Sequence, residues 1–279
     1  MDEDVLVVIG AGGMGRAIAR RLGSGRQVLL ADFDADALNT AADLLRGAGQ
    51  QVTTRSVDVS DGASVASLAD AAADLGRVTH VAHTAGLSPV QASTEAILRV
   101  DLLGVALVLD EFARVVAPGG AGVVIASMAA HIPAGHMSGA LPPERENALA
   151  STPTRELLQL PFLEPGAVGD PGSAYALAKR ANVLRVQASA AAWGDRGARI
   201  NSISPGVIAT PMGQQELAGD AGEQMRAMVD MSATKRLGTP EDIAAAAAFL
   251  LDPGSGFITG TDLLVDGGVV PAVRALMAD

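Results

Sequence analysis

Seven short runs of branched and apolar residues alternate along this chain with longer alanine- and leucine-rich stretches of helical period, and no other feature restricts the fold as much. Such runs are all buried together when each strand is followed by a helix that crosses back over the sheet. The expected class is therefore α/β, a seven-stranded, doubly wound parallel sheet in a single domain over residues 1–279. The strands are read at Val5 to Ile9, Gln27 to Ala31, Val52 to Val57, Val78 to His83, Gly122 to Ser127, Arg199 to Ile203 and Asp262 to Val265. An open sheet of this kind carries its ligand crevice at the carboxyl ends of the strands.

Composition narrows the function classes. With 49% apolar and 18% charged residues, the chain has enough apolar surface for a large core, which excludes disorder as its dominant state. A net charge of −11 argues against a broad cationic surface for nucleic acid or anionic lipid. The absence of cysteine excludes a disulfide framework, a thiolate nucleophile and a cysteine metal site. Met1-Asp2-Glu3-Asp4 is acidic where a secretion signal would be basic. The longest apolar run, Ile243 to Leu251, is too short to span a bilayer, so the expected setting is cytoplasmic with no membrane partner.

The first strand runs directly into Gly10-Ala11-Gly12-Gly13-Met14-Gly15 and then into Arg16-Ala17-Ile18-Ala19. Strand, Gly-x-Gly-x-x-Gly and helix in that order form a Rossmann-type dinucleotide site. Gly10 permits the tight turn, Gly12 allows a pyrophosphate close to the backbone, and Gly15 allows close helix packing, with the helix N-terminus facing the phosphate charge. Asp32 follows Gly10 by 22 positions and ends the second strand, where its carboxylate would accept the ribose hydroxyls of an adenosine and repel a 2′-phosphate. NAD is thus favoured over NADP, unless Arg16 or Arg26 reaches the ribose. Asp32, Asp34 and Asp36 imitate the start of a calcium loop, but Ala37 and Asp43 stand where glycine and glutamate are needed, so no metal is expected.

Tyr175 and Lys179 are four residues apart, one above the other on a helix face, and Tyr175 is the only tyrosine in the chain. A phenol near pKa 10 is a poor base at neutral pH; lowering it by about three units needs about 4 kcal/mol of differential stabilisation. A neighbouring ammonium has the right sign.

Together these residues resemble the short-chain dehydrogenase/reductase family, and the resemblance runs from Val5 to Gly268. Asp58-Val59 matches the pair that contacts adenine, and Thr84-Ala85-Gly86 matches most of the Asn-Asn-Ala-Gly turn. Ser127 matches the catalytic serine, Ser204-Pro205-Gly206 the turn near the nicotinamide, and Ile208 and Thr210 the positions that contact the carboxamide. The resemblance implies a cofactor site of Gly10, Gly12, Gly13, Met14, Gly15, Asp32, Phe33, Asp58, Val59, Ala85, Gly86, Tyr175, Lys179, Pro205, Gly206, Ile208 and Thr210. It also implies Tyr175 as general acid or base, Ser127 as hydrogen-bond donor to the substrate oxygen, and Lys179 as the group that lowers the tyrosine pKa and holds the nicotinamide ribose. The implied activity is an NAD-dependent oxidoreductase interconverting a secondary alcohol and a ketone by hydride transfer. A 3-oxoacyl-thioester reductase and a non-catalytic dinucleotide-sensing regulator are the alternatives.

Four departures from the family pattern matter. The glycine spacing is one residue shorter than usual, which would shift the phosphate contacts. Asp101 stands where the family's fourth catalytic residue is asparagine; it either weakens the proton relay through its charge near Lys179 or merely caps local backbone. His83 and Thr84 replace the two asparagines of the turn. Ser127 and Tyr175 are 48 positions apart, an insertion at about 128–172 rich in proline, with a short helix expected near Thr152 to Leu160. This insertion reads as a lid over the crevice or as a packed surface excursion, and a comparable insertion in some hydroxysteroid dehydrogenases suggests a bulky apolar alcohol or ketone. His131 and His136 either reach the substrate or make ordinary loop hydrogen bonds, the second being favoured, and Trp193 reads as a packing anchor. The family commonly assembles through two long helices beside its catalytic residues, which the resemblance places here at about Thr94 to Val116 and Ser173 to Trp193, so a homodimer or homotetramer is expected.

Overall fold

The computed structural model describes residues 3–132 and 141–278. Its centre is a seven-stranded parallel sheet in the order β3-β2-β1-β4-β5-β6-β7. The strands are β1 (Asp4–Ile9), β2 (Gln27–Asp32), β3 (Gln51–Ser56), β4 (Arg77–His83), β5 (Val116–Ile125), β6 (Arg199–Pro205) and β7 (Asp262–Val265). Side chains alternate along the buried strands. Val5, Val7 and Ile9 face a core shared with α3 (Gly62–Leu75), α5 (Gly104–Val115) and α8 (Pro171–Asp195), while Leu6 and Val8 face α1 (Gly13–Leu22), α2 (Ala35–Gly47) and α11 (Pro240–Leu251). This two-sided burial is the expected doubly wound α/β architecture.

The order places β1 between β2 and β4, so the chain turns to opposite sides of the sheet there and a crevice opens beyond their carboxyl ends. Capping residues fix where several helices enter. Asp34 caps α2, Asp61 caps α3, and Asp170 precedes Pro171 at the start of α8. Thr239 and Asp242 form a reciprocal capping box on α11.

The fifth strand differs from the reading at Gly122 to Ser127. It begins at Val116, with a register break against β4 between Val78 and His80, because Gly119 takes a positive φ of 81° and ties back to the Gly197 carbonyl at 2.8 Å. It ends at Ile125, so Ser127 lies past the strand as the cap of a short 3₁₀ turn, Met128–Ala130. The helix expected at Thr94 to Val116 is α4 (Thr94–Ile97), a π-helical stretch Leu98–Leu103 and α5 in succession.

In the insertion, the short helix expected at Thr152 to Leu160 is a 3₁₀ segment, Thr154–Gln159, preceded by a helix the sequence did not signal, α6 (Pro143–Ser151). A further 3₁₀ turn, Pro161–Leu163, and α7 (Pro165–Val168) complete it. Leu149, Leu157 and Leu163 are buried against Leu102, Ala106, Leu177 and Ala181 of the long helices. Arg185 of α8 clamps the segment by donating to the Leu149 and Thr152 carbonyls and to Thr154 Oγ1. Residues 141–168 therefore pack as a buttress on the helical layer. Residues 133–140, which the lid reading includes, and His136 with them, lie outside the described residues. The remaining helices are α9 (Pro211–Ala218), α10 (Gly222–Met231) and α12 (Val269–Ala278). Among the described residues no helix is long and apolar enough to cross a membrane.

Candidate active site

Three glycines shape the loop after β1, each for a different reason. Gly10 has φ +105°, and a Cβ there would lie 2.5 Å from Thr84 Oγ1. A Cβ on Gly15 would lie only 1.9 Å from the Gly10 carbonyl oxygen. Gly12 caps α1 without a side chain, and a Cβ on it would meet nothing within 4 Å, so its backbone faces open space at the helix N-terminus. These are the properties a pyrophosphate cradle requires. The turn after β4 is stitched to the loop: the Thr84 and Ala85 amides donate to the Ile9 carbonyl at 2.7 and 2.9 Å, and Thr84 Oγ1 donates to the Gly10 carbonyl. Thr84 thus keeps the turn although the asparagines are absent.

Asp32 closes β2 beside this loop. Its Oδ2 accepts from the Ala11 amide at 2.6 Å and its Oδ1 from the Asp34 amide at 2.9 Å, so the carboxylate is held in place by backbone. Arg26 precedes β2, roughly 20 Å away at the other end of the strand, and spends one nitrogen on the Leu22 carbonyl. Phe33, next to Asp32, is 75% exposed. Asp58 organises its own turn by accepting from the Ser60 amide and hydroxyl, and Val59 is buried where a Cβ on Gly104 would strike it.

The opposite wall comes from β6 and the loop leaving it. Gly206 donates its amide to the Val265 carbonyl at 3.0 Å and packs against Asp266 too closely for a Cβ, which joins the Ser204-Pro205-Gly206 turn to the Val265-Asp266-Gly267-Gly268 ending. Thr210 caps α9 by accepting from the Gly213 amide, and its methyl group would lie 3.0 Å from a Cβ on Gly13. The glycine loop and the turn after β6 meet at that point. A cleft of about 270 Å³ opens there, and Met14, Ser127, Tyr175, Pro205, Gly206, Ile208 and Thr210 all line it.

Beneath the cleft lies a buried charged pair. Lys179 Nζ is 3.1 Å from Asp101 Oδ2, 3.4 Å from the Ile125 carbonyl and 5.3 Å from the centre of the Tyr175 ring. Asp101 is fully buried on the π-helical stretch, where the wider turn re-aims its side chain, and its Oδ1 accepts from the Leu87 amide at 2.7 Å. A Cβ on Gly86 would press on both members of the pair, so only glycine leaves them room. Burial pushes the Asp101 carboxyl up, against the opposing pull of Lys179 and the Leu87 amide. Burial pulls the Lys179 ammonium down, and Asp101, Tyr175 and Glu216 together more than reverse this, leaving it above its ordinary value. For Tyr175 burial is the largest influence and raises the phenol; Lys179 and Ser127 lower it and Asp101 raises it. The ammonium thus has the expected sign, but desolvation outweighs it, and the net shift is upward rather than the expected fall.

His131 Nε2 donates to Asp262 Oδ2 (2.8 Å) and lies 3.2 Å from Ser204 Oγ, which are structural loop contacts. Trp193 is fully buried, its indole donating to the Leu109 carbonyl and its ring filling the space a Cβ on Gly122 would need. Sequence reading missed part of the cleft wall: Met212 and Glu216 of α9, and Met225 and Met228 of α10. Their spacings of four and three residues after the Pro205-Gly206 turn were the available signal.

Comparison with known proteins identifies the family. Residues 4–139 match the family model described as short chain dehydrogenase, and residues 154–270 match one described as enoyl-(acyl carrier protein) reductase. The chain is 42% identical to short-chain dehydrogenase/reductase bsc3 of Alternaria brassicicola over 97% of each protein. The chain belongs to the short-chain dehydrogenase/reductase family. This oxidoreductase is also 30% identical to D-threitol dehydrogenase of Mycolicibacterium smegmatis, covering 96% of this chain and 93% of that one. A solved short-chain dehydrogenase/reductase from Serratia marcescens superposes with a TM-score of 0.73 at 26% identity, covering 96% of this chain and 98% of the other.

Proposed function

We propose that this short-chain dehydrogenase/reductase interconverts a secondary alcohol and a ketone with NAD as the preferred cofactor. The observation that carries the reading is that Ser127 and Tyr175, 48 positions apart, line one cleft with Lys179 Nζ under the phenol ring. When bound, a nicotinamide cofactor supplies or accepts the hydride. Gly12 and the uncapped start of α1 would hold its pyrophosphate, Asp32 its adenosine ribose, and Gly206, Ile208 and Thr210 would bound the nicotinamide end. A fixed carboxylate at Asp32 favours two free ribose hydroxyls over a phosphate, and the remote Arg26 does not offset it.

Ser127 donates a hydrogen bond to the substrate oxygen and orients it toward Tyr175. In the reductive direction Tyr175 gives its phenolic proton to that oxygen, and burial keeps the phenol protonated for the task. In the oxidative direction Tyr175 receives the alcohol proton, and the Lys179 ammonium stabilises the tyrosinate formed beforehand. Asp101 keeps Lys179 charged and in position through the 3.1 Å pair, at the cost of a negative charge that disfavours tyrosinate. The net charge of −11 argues against docking an acidic carrier and hence against the thioester-reductase alternative.

The test is NADH-linked spectrophotometry with a panel of secondary alcohols and ketones. Tyr175→Phe should lower kcat by at least about a hundredfold with cofactor affinity retained. Equal rates in both proteins would end the mechanism. An NADP preference would end the role given to Asp32.

A further inference from the structure

Resting on that reading, we infer that the cleft selects an alcohol carrying a second hydrogen-bond donor, hydroxyl or ammonium, on an otherwise apolar body, and that Glu216 is the residue that recognises it. Among the described residues that line the cleft, Glu216 is the only carboxylate. The wall around it is apolar and adaptable, with Met14, Met128, Met212, Met225 and Met228. Such a wall accepts a hydrocarbon body but offers nothing to a second polar group, which would lose its hydration on entry. Glu216 is the group able to accept from it.

Its direction is fixed by the fold of α9. Thr210 caps the helix and Pro211 occupies its first position. Gly213 packs so closely under Ile208 that a Cβ would lie 2.1 Å from its carbonyl oxygen. On the other side Gln91 Nε2 donates to Gln215 Oε1 at 2.7 Å, tying α9 to the segment after β4. With Gln215 turned outward to Gln91, the next residue follows Met212 by one helical turn and shares its cleft-facing side. The buried Ser88 hydroxyl, whose Oγ accepts from the Val90 amide, lowers the Glu216 carboxyl against the effect of burial. A carboxylate has about four acceptor positions, so it has acceptors to offer a ligand. Glu216 lines the same cleft as Ser127 and Tyr175. Burial raises the Glu216 carboxyl, the penalty expected for a carboxylate facing a semi-enclosed apolar space.

The experiment uses three probes with one carbon skeleton: cyclohexanol, trans-cyclohexane-1,2-diol and trans-2-aminocyclohexanol. Each is measured for kcat and KM, and by calorimetry for binding to the NAD-loaded protein. Wild type should prefer the diol or the amino alcohol over cyclohexanol by at least about tenfold in kcat/KM, and Glu216→Leu should bring that ratio to within about threefold of unity, mainly through KM. Glu216→Gln keeps an acceptor but no charge. It should retain the diol preference and lose that for the amino alcohol, which tells the two donors apart. A wild-type ratio near one overturns the inference, as does a ratio unchanged in Glu216→Leu. Equal losses on all three probes would make Glu216 only a latch for α9 and also overturn it. Calorimetry separates this from the underlying reading: a Glu216-dependent binding preference without turnover of any probe sustains the recognition and sinks the proposed reaction.

Discussion

Gly12 and Gly15 stand one helical turn apart in the same loop, yet substituting them should have different consequences. A methyl group on Gly15 has no room beside the Gly10 carbonyl, so Gly15→Ala should lower the melting temperature and abolish cofactor binding together. On Gly12 the same methyl group meets no protein atom, so Gly12→Ala should leave the melting temperature nearly unchanged while weakening NAD binding by about tenfold or more, read by calorimetry. Asp101→Asn separates two effects in the same way. Removing one partner of a buried ion pair should cost about 3 kcal/mol of stability in denaturant melts. It also removes a charge that raises the Tyr175 phenol, so the rising limb of the pH profile for alcohol oxidation should move to lower pH. Two buried histidines set a further limit. Burial holds His80 near pKa 4 and His83 near 3, against an ordinary 6.5. The unfolded chain therefore takes up protons that the folded chain refuses, and stability present above pH 6.5 is lost as pH falls toward those values. Each histidine contributes up to about 1.4 kcal/mol per pH unit, and His83→Asn should reduce the acid-side slope of a urea-midpoint series accordingly.

At the scale of elements, the helix carrying Tyr175 and Lys179 does two jobs. One side packs on the sheet through Val186 and Trp193, and another holds the inserted segment through Leu177, Ala181 and Arg185. The segment contributes Leu149, fully buried although it comes from a short, polar helix. Leu149→Ala should cost about 2–4 kcal/mol in denaturant melts, far more than a surface helix would lose, because the cavity forms between two elements that cannot both collapse. A loss under about 1 kcal/mol would mean that α6 is not docked. The π-helical stretch before α5 belongs to the same scale. It interrupts a helix that the family resemblance implies as continuous, and Asp101 on it lies beside Lys179.

For the whole molecule, the expected assembly through the two long helices meets an obstacle within the chain. The surface around Leu102, Ala106, Leu177 and Ala181 is buried by Leu149, Leu157 and Leu163 of the insertion. Self-association through those covered positions is blocked while the insertion is in place, so deleting residues 141–168 should uncover an apolar strip and increase self-association in sedimentation velocity. An unchanged mass distribution would show that the insertion has no part in the stoichiometry.

The sheet, the glycine loop and the Tyr175–Lys179 pair were legible without coordinates because each depends on near neighbours: alternation along a strand, positive φ at a turn, one helical turn between two side chains. Tertiary structure decided what depends on distant packing. It joined Asp101 to Lys179 across 78 positions, seated residues 141–168 on α8, and placed Glu216 in the wall of the cleft. It also reversed the expected net shift of Tyr175, because an ammonium four residues away is written in the sequence, whereas the desolvation that outweighs it comes from distant residues the fold brings around the ring.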